Sequence, residues 1–415
     1  MAKSKITGIS AVIAVLTFSI IFLILGCATG GEPKTRTRSA SNNAAALVFE
    51  PDPEGLDRRV SIENGEFVVN GKRLWISGAN TPWNKWGDFG GNENWNKYDD
   101  SWWNNEFSKI RKGGVNATRV WINCDNGNKA IIIDANGMVS GASDQHWADL
   151  DLLFETARRN RIYIMATLLS FDHFKDENSQ KASWRTMITS KPAVNSFAEN
   201  YVIPFVERYG DNPWLWSIDI MNEPDWLFEH QKIAWNDISY FFAVQAAAIH
   251  ENSKVLVTVG MANIKWNADG FGGFQGNKVS DKFLQELYPN ENAYMDFWSP
   301  HYYDWVGEWY GVPHYLTPSG VRGGNKNTGW LGGFGLDASK PSVLGECSAN
   351  GTGKNVNGVK NNTIVTDYVS ALEKGWQGLL PWTSNGVDSN GDFRNMQPGA
   401  KKMIEDYRDL IFPWD

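Results

Sequence analysis

The sequence predicts an α/β fold, a (β/α)8 (TIM) barrel that follows an N-terminal β-hairpin. From residue 60 onward, eight short apolar segments of strand length recur, and most of them precede an amphipathic stretch with helical periodicity. The chain of 415 residues, 42% hydrophobic, is long enough to bury the core of such a barrel. An open doubly wound sheet is the alternative, but the turn from Gly78 to Pro82 lacks the G-x-G-x-x-G pattern of a nucleotide-binding turn.

The elements come in a regular order along the chain. A hairpin over residues 60–69 turns at Asn64-Gly65, and Asn70-Gly71 makes a second turn, since such dipeptides favour tight hairpins. We expect this hairpin to cover the N-terminal mouth of the barrel. The predicted strands are Leu74–Ala79, Ala117–Ile122, Ile162–Leu169, Leu215–Met221, Val255–Val259, Met295–Pro300, Ser342–Leu344 and Gly378–Trp382. The predicted helices are Trp103–Lys112, Trp147–Asn160, Asn195–Tyr209, Ile233–His250, Asp281–Leu287, Thr363–Lys374 and Ala400–Ile411. The sixth connection, Asp304 to Lys340, is rich in glycine and is expected to be poorly helical.

Residues 1–27 have the layout of a bacterial secretory signal. Two lysines precede the apolar run Ile9–Leu25, and Gly26 is followed directly by Cys27. This arrangement resembles a lipoprotein signal, which implies cleavage before Cys27 and lipidation of its thiol. An uncleaved membrane anchor is the alternative, and both place the rest of the chain outside the cytoplasm. Because Ala28 rather than an aspartate follows the cysteine, we favour the outer membrane or the cell surface.

The rest of the chain divides into a flexible linker, residues 28–59, and a barrel, residues 60–415. The net charge of −8 argues against nucleic-acid binding, and the mean hydropathy of −0.40 excludes a polytopic membrane protein. We expect membrane contact only through the lipid anchor, and a monomer, although the sequence leaves the oligomeric state open. Cys124 and Cys347 are too few for a disulfide scaffold; one bridge and two separate buried thiols are both open.

Tryptophan is unusually abundant, at 21 of the 415 residues. An indole has a broad apolar face and a polar edge, which suits stacking on flat hydroxylated ligands such as sugars. A tryptophan-rich core is the alternative explanation, and both can hold for different residues.

Polar and aromatic side chains follow most of the predicted strands at their C-terminal ends, where a (β/α)8 barrel carries its active site. In strand order these are Asn80, Trp83, Trp86, Arg119, Asn222, Glu223, His301, Tyr303, Glu346 and Trp382. Glu223 and Glu346 are far apart in sequence, so only the fold can bring them together. Two carboxyls in one cleft are the minimal apparatus of glycoside hydrolysis.

The segment Asn222-Glu223-Pro224 resembles the signature of the clan A retaining glycoside hydrolases on (β/α)8 barrels, and family 5 in particular. The segment from Val343 to Glu346 is similar to the nucleophile strand of that family. Further matches at strand ends are Arg119, His301, Tyr303 and Trp382. The resemblance runs from about residue 60 to the C-terminus.

The resemblance implies a role for each matching residue. Glu223 is expected to be the general acid/base, with a raised pKa, and Glu346 the nucleophile, kept ionised by Arg119 and Tyr303. The side chains expected to bind substrate are Asn222, Arg119, His301, Tyr303, Trp382, Trp83, Trp86 and Asn80. Asn222 is expected to meet the sugar 2-hydroxyl and Trp382 to stack under the sugar at the cleavage point. No metal or cofactor is implied.

The third predicted strand bears on the substrate. Cellulase-like members of the family usually end it with a histidine, whereas here it ends at Ser170, and His173 could substitute from the loop. Together with Arg119-Val120-Trp121 this resembles the β-mannanase branch. We therefore expect an endo-β-1,4-mannanase acting on mannan or glucomannan.

Three alternatives stay open at this point. The first is an endo-β-1,4-glucanase (cellulase) or a broad β-glycanase with the same machinery. The second is a non-catalytic surface lipoprotein that binds glycans, and the third is a transglycosylase that passes the sugar to another sugar instead of water.

Overall fold

Three antiparallel strands open the described part of the chain. The structure, a computed structural model, describes residues 57–90, 98–124, 130–268, 276–310, 314–316, 336–337, 339–353 and 363–415. Strands β1 (Ser61–Glu63), β2 (Glu66–Val69) and β3 (Lys72–Arg73) form the predicted hairpin and a third, short strand. Both Asn-Gly turns have positive φ at both residues, as the sequence predicts.

Eight parallel strands form the barrel, which confirms the predicted fold. The remaining strands are β4 (Ile76–Asn80), β5 (Ala117–Trp121), β6 (Ile131–Ile133), β7 (Val139–Ala142), β8 (Tyr163–Ser170), β9 (Leu215–Asn222), β10 (Leu256–Met261), β11 (Ser299–Pro300), β12 (Val343–Ser348) and β13 (Gly378–Trp382). The barrel sheet has the order β11-β10-β9-β8-β5-β4-β13-β12. Bridges between Trp298 and Ser342 and between His301 and Glu346 join β11 to β12 and close it.

The helices lie on the connections between the strands. They are α1 (Asp100–Lys112), α2 (Asp144–Asn160), α3 (Lys181–Thr189), α4 (Lys191–Phe197), α5 (Ile203–Tyr209), α6 (Asp225–Glu229), α7 (Trp235–Asn252), α8 (Asp281–Leu287), α9 (Asp304–Tyr310), α10 (Ile364–Glu373) and α11 (Phe393–Ile411). A π-helical segment, Ala198–Val202, joins α4 to α5. Helix α1 shows why such segments form: Asp99 caps its first turn, and Trp103, Phe107 and Ile110 recur at helical spacing on its buried face.

The structure adds elements that the sequence analysis did not predict. The sixth connection begins with helix α9, and most of the remainder of that connection lies outside the described residues. Helix α11 begins at Phe393 rather than at Ala400, because Asp392 caps it and the helix accommodates Pro398. The hairpin of β6 and β7 was also missed, although Asn136-Gly137 is a turn signal of the same type as Asn64-Gly65.

The core lies inside the barrel and between the barrel and its helices. Every residue of β8 and of β9 is buried. The hairpin covers the N-terminal mouth, as expected, because the ring of Phe67 lies 5.3 Å from the rings of both Trp216 and Phe297. The structure thus leaves the opposite, C-terminal ends of the strands to form a site.

Cys124 and Cys347 are buried and are not joined by a disulfide bond, so the two-thiol alternative is correct. Residues 1–56, which include the predicted signal, Cys27 and most of the predicted linker, lie outside the described residues. Within the described ranges, none of the helices combines the length and the apolar character needed to cross a membrane.

Candidate active site

Glu223 follows directly on β9 and has a left-handed backbone conformation. Its φ is 51°, and its backbone N–H donates to the carbonyl of Gly260 over 2.6 Å. A non-glycine residue with positive φ is strained, by about 1–3 kcal/mol, and persists only where its surroundings hold it. The barrel therefore fixes this residue at the strand end.

The Glu223 carboxyl lies between two ring nitrogens. Its Oε1 is 3.0 Å from Nδ1 of His301, and its Oε2 accepts a hydrogen bond of 2.9 Å from the Trp226 indole. Burial raises the pKa of Glu223 to about 7, against the opposing effects of the Trp226 bond and of Arg119. Burial also lowers the pKa of His301 to about 4, so this imidazole is neutral at neutral pH.

Glu346 lies on β12 and receives the stronger donors. Arg119 Nη1 donates to its Oε1 over 2.6 Å, and the Tyr303 hydroxyl donates to its Oε2 over 2.9 Å. Burial raises the pKa of Glu346, while His301, Arg119 and the Tyr303 hydroxyl oppose that rise. Because its direct contact is a guanidinium, whereas that of Glu223 is a neutral indole, we infer that Glu346 ionises before Glu223.

The two carboxyls are close together. One oxygen of Glu223, one of Glu346 and a ring nitrogen of His301 all lie within 4.8 Å of one another. This close approach of two carboxyl oxygens agrees with the roughly 5–5.5 Å separation of the carboxyl groups in a retaining glycosidase. The same three side chains are near enough to hold a metal ion, but the guanidinium of Arg119 on Glu346 opposes a second cation there.

Arg119 is fully buried beneath the two carboxyls. Besides Glu346 it donates to Asp219, Asn222 and Asn80, and its guanidinium lies 4.2 Å over the ring of Trp121. Gly260 makes this crowding feasible. A Cβ at this position would lie 2.8 Å from Arg119 Nη2, 2.9 Å from His301 Nε2 and 3.1 Å from Asp219 Oδ2.

The two predicted asparagines differ in their surroundings. Asn80 is fully buried; its amide donates to the carbonyls of Gly345 and Leu380, and its oxygen accepts from Arg119. Both of its N–H groups are thus directed at the protein, and substrate binding by Asn80 stays a prediction. Asn222 accepts from Arg119 and donates to the Ser170 hydroxyl over 3.3 Å, with its other N–H left for a ligand in the described part of the site.

Ser170 ends β8, as the sequence predicts, while His173 does not take the place of a strand-end histidine. The His173 ring is buried against Trp184 and hydrogen-bonds the backbone of Ser170 and the Asn123 amide. The hydroxyl at the end of the third barrel strand is itself buried, because Ser170 donates to the Asp172 carboxylate over 2.7 Å and accepts from Asn222.

The predicted tryptophans form one cluster on the Arg119 side of the site. Trp83 lies 4.7 Å from Trp86, 6.0 Å from Trp121 and 6.1 Å from Trp382, each edge to face. Trp382 and Trp121 are 5.2 Å apart, and the Trp382 indole donates to Asp388. Trp83, Trp86 and Trp382 are partly exposed and can present a face to a ligand, whereas Trp121 is buried.

A second aromatic surface lies on the Glu223 side and was not predicted. A cleft of about 490 Å³ is lined by Phe171, Lys175, Glu223, Trp226, Leu227, His230, Gln231, Trp305 and Trp309. Trp226 and Trp305 are nearly parallel, 6.2 Å apart, and Trp305 and Trp309 are 40% and 75% exposed. Trp226 and Trp305 could have been predicted from their positions just after strand ends, since Trp226 closely follows Glu223 and Trp305 closely follows Tyr303. We call Trp226, Trp305 and Trp309 the outer tryptophans.

The fold and the site define a (β/α)8 barrel with a close carboxyl pair at its C-terminal mouth, the arrangement of a retaining glycosidase. The sequence is similar to that of mannan endo-1,4-beta-mannosidase from Mytilus edulis, with 25% identity over 379 residues, covering 85% of this chain and 95% of the relative. No family model matches the chain.

Solved structures share the fold over most of the chain. The β-1,4-mannanase of the sea hare Aplysia kurodai has a TM-score of 0.69 at 24% identity and covers 86% of this chain and 99% of its own. A glycoside hydrolase family 5 mannosidase from Rhizomucor miehei has a TM-score of 0.51 at 15% identity, covering 85% and 99%. Sequence motifs, relatives and fold together confirm the resemblance to clan A, family 5.

Proposed function

We propose that the protein is an endo-β-1,4-mannanase that hydrolyses mannan or glucomannan with retention of configuration. The observation that carries this proposal is the unequal pair of carboxyls, Glu346 against a guanidinium and Glu223 against a neutral imidazole, a few ångströms apart. The substrate class is supported by the mannan endo-1,4-beta-mannosidase of Mytilus edulis, which is similar over 85% of this chain.

In the first step Glu346 attacks the anomeric carbon, and Glu223 gives its proton to the departing glycosidic oxygen. A carboxyl with a pKa of about 7 is protonated in half of the molecules at neutral pH, so it can act as the acid. Arg119 and Tyr303 hold Glu346 in place, and the spare N–H of Asn222 is available to the sugar 2-hydroxyl.

In the second step a water molecule attacks the same carbon, and the bond to Glu346 breaks. Glu223, now a carboxylate, takes the proton of that water and returns to its starting state. The neutral His301, with Nδ1 3.0 Å from Glu223, keeps this carboxyl oriented in both of its charge states.

The direction of the chain in the cleft follows from these roles. The leaving group departs on the side of the acid, so it lies on the outer tryptophans beyond Glu223. The sugars retained on the enzyme then lie toward Trp382, Trp83 and Trp86. Aromatic surfaces on both sides of the carboxyl pair suit internal cleavage of a long chain.

The test is release of reducing ends from mannan, glucomannan and carboxymethyl-cellulose in parallel, with NMR of the product to read its configuration. We expect turnover of both mannans with retention, and loss of at least a thousandfold in Glu346→Gln. Turnover of cellulose alone would replace the mannan assignment by an endoglucanase. Binding of mannan without any product would instead support a glycan-binding protein.

We further propose that the chain is exported and anchored by a lipid on Cys27. The support is the sequence alone: an apolar run followed by Gly26-Cys27. Mass spectrometry of the membrane fraction should find acyl chains on an N-terminal Cys27, and Cys27→Ser should release the activity from the membrane. A wild-type chain that retains residues 1–26 would show an uncleaved anchor.

A further inference from the structure

Besides Glu223 and Glu346, the carboxyl of Asp219 lies buried beneath the mouth of the barrel. It has no role in the two proposed reaction steps. It lies on β9, four residues before Glu223, and its side chain is fully buried. Its Oδ2 accepts from Nε and Nη2 of Arg119, over 2.9 and 2.6 Å, and from the Thr167 hydroxyl over 3.3 Å. Its Oδ1 accepts from the backbone N–H of Gly260 over 2.9 Å. All of these partners are donors, which suits an ionised carboxylate.

The contacts of Arg119 account for every N–H that a guanidinium has. Nε and one N–H of Nη2 go to Asp219, the second N–H of Nη2 goes to Asn222, and the two of Nη1 go to Glu346 and Asn80. Any rotation of the group would leave a buried donor unpaired. Asp219 takes the Nε edge, so it determines which edge is left for Glu346.

The carboxylate of Asp219 also offsets part of the positive charge of Arg119. The titratable groups that face Glu346 are Arg119 from β5, Glu223 from the end of β9, and His301 and Tyr303 after β11, with Cys347 beside it on β12. Among these described groups Arg119 is the cation at neutral pH, because burial keeps His301 neutral. Without Asp219, the full positive charge of Arg119 would stabilise the Glu346 carboxylate more strongly and make it a weaker nucleophile.

We propose that Asp219 is a positioning residue for the nucleophile: it fixes the orientation of Arg119 and offsets its charge, so that Glu346 is held in place and stays reactive. This inference rests on the proposed function only in taking Glu346 as the nucleophile. It differs from a purely structural role because it predicts a change in the proton affinity of Glu346 itself.

The test is the isosteric variant Asp219→Asn, assayed with dinitrophenyl β-mannobioside across pH. We expect kcat to fall about 10- to 100-fold with KM little changed, since a small displacement at the nucleophile costs that much. We also expect the acidic limb of kcat/KM to move down by about one pH unit, because the positive charge of Arg119, no longer offset by Asp219, lowers the pKa of Glu346. A limb at the wild-type position, or one moved upward, would overturn the proposal.

Thr167→Val is the matched control. It removes the weakest hydrogen bond to the same Oδ2 and leaves the charge of Asp219 in place. Its acidic limb should coincide with that of the wild type. A downward move in this variant as well would show that local disruption alone shifts the limb, and the inference would fail.

Two further measurements cover the remaining outcomes. If the asparagine variant does not fold, Asp219→Ser takes its place. It also removes the charge and should show the same downward move of the acidic limb. NMR titration of isotope-labelled glutamate carboxyls, with Glu346→Gln to assign the signal, reads the pKa of Glu346 without substrate. A wild type inactive on every mannan would refute the proposed function, while an unchanged titration in Asp219→Asn would refute the role of Asp219.

Discussion

At the scale of single residues, the raised pKa of Glu223 makes the activity depend on pH. Its pKa of about 7 means that the acid form is present below that pH and is lost above it. We therefore expect kcat/KM on mannan to fall as pH rises through about 7, by tenfold for each further unit. With dinitrophenyl β-mannobioside, whose leaving group needs no proton, the same alkaline limb should be absent in the wild type.

Some residues of the site could be predicted from the sequence and others could not. Glu223 and Glu346 were predicted because each follows an apolar strand, and the barrel rule places such residues at one mouth. The burial of Asn80 was not predictable, because whether a strand-end amide points to solvent or to a neighbouring carbonyl depends on the packing of β13. Asp219 was overlooked for the same reason: a carboxyl inside an apolar strand has meaning only once Arg119 is seen beside it.

At the scale of elements, the N-terminal hairpin is predicted to stabilise the barrel without touching the chemistry. Phe67 is fully buried and contacts aromatic rings at the bottom of the barrel. Phe67→Ala should lower the free energy of unfolding by about 3–5 kcal/mol in urea titrations, with kcat of the folded enzyme unchanged. Glu63→Ala, at an exposed position on the same hairpin, should change stability by less than about 0.5 kcal/mol. Loss of kcat in folded Phe67→Ala would contradict this separation.

Helix α9 carries two of the outer tryptophans, and it should matter for long substrates. Trp309→Ala and Trp305→Ala are each expected to raise KM for mannohexaose about 3- to 10-fold, as the loss of one stacking contact would. A β-mannobiosyl fluoride has a single atom as its leaving group and so places nothing on the outer tryptophans, and its KM should not change. Leu152→Ala, which removes an exposed apolar side chain on α2, is the control. Equal effects on both substrates would argue against the assigned direction of the chain.

The elements were predicted well where their pattern was regular. All eight barrel strands appear where an apolar run predicts one, because buried parallel strands are short apolar runs with helices between them, although the predicted strand Met295–Pro300 is extended only at Ser299–Pro300. The register of the C-terminal strand ends was harder to predict, since β12 continues past Leu344 through Glu346 to Ser348. Helix α9 was missed because glycine in the longer connection masked the helical start at Asp304.

At the scale of the whole molecule, three buried carboxyls link stability to pH. Burial raises the pKa of Glu223, Asp88 and Asp367 to about 7 in each case. The folded state thus holds these protons more tightly than the unfolded chain, so each group favours folding below about pH 4 and loses that contribution as pH rises to about 7. We expect the unfolding temperature of Glu223→Gln to fall less than that of the wild type over this range, as read by calorimetry. An identical slope in both proteins would contradict the raised pKa.

The two ends of the described body meet on the side opposite the carboxyl pair. Arg58 donates to the carbonyl of Trp414, and Trp414 packs on Tyr163 at the start of β8. The complete barrel was foreseeable from its alternating pattern, but this meeting of the two ends was not, because no periodicity links them. A chain beginning at residue 57 should therefore keep the full kcat of the longer protein, whereas one beginning at Asn70 should lose stability.

The close approach at Gly260 has a consequence for how such a site can change over generations. A methyl group there would press at once on Arg119, which serves one carboxyl, and on His301, which serves the other. A substitution at Gly260, which has no chemical role itself, would therefore disturb both the acid and the nucleophile. Any larger residue at this position would displace a partner of the acid and a partner of the nucleophile together, so the two cannot be adjusted independently here.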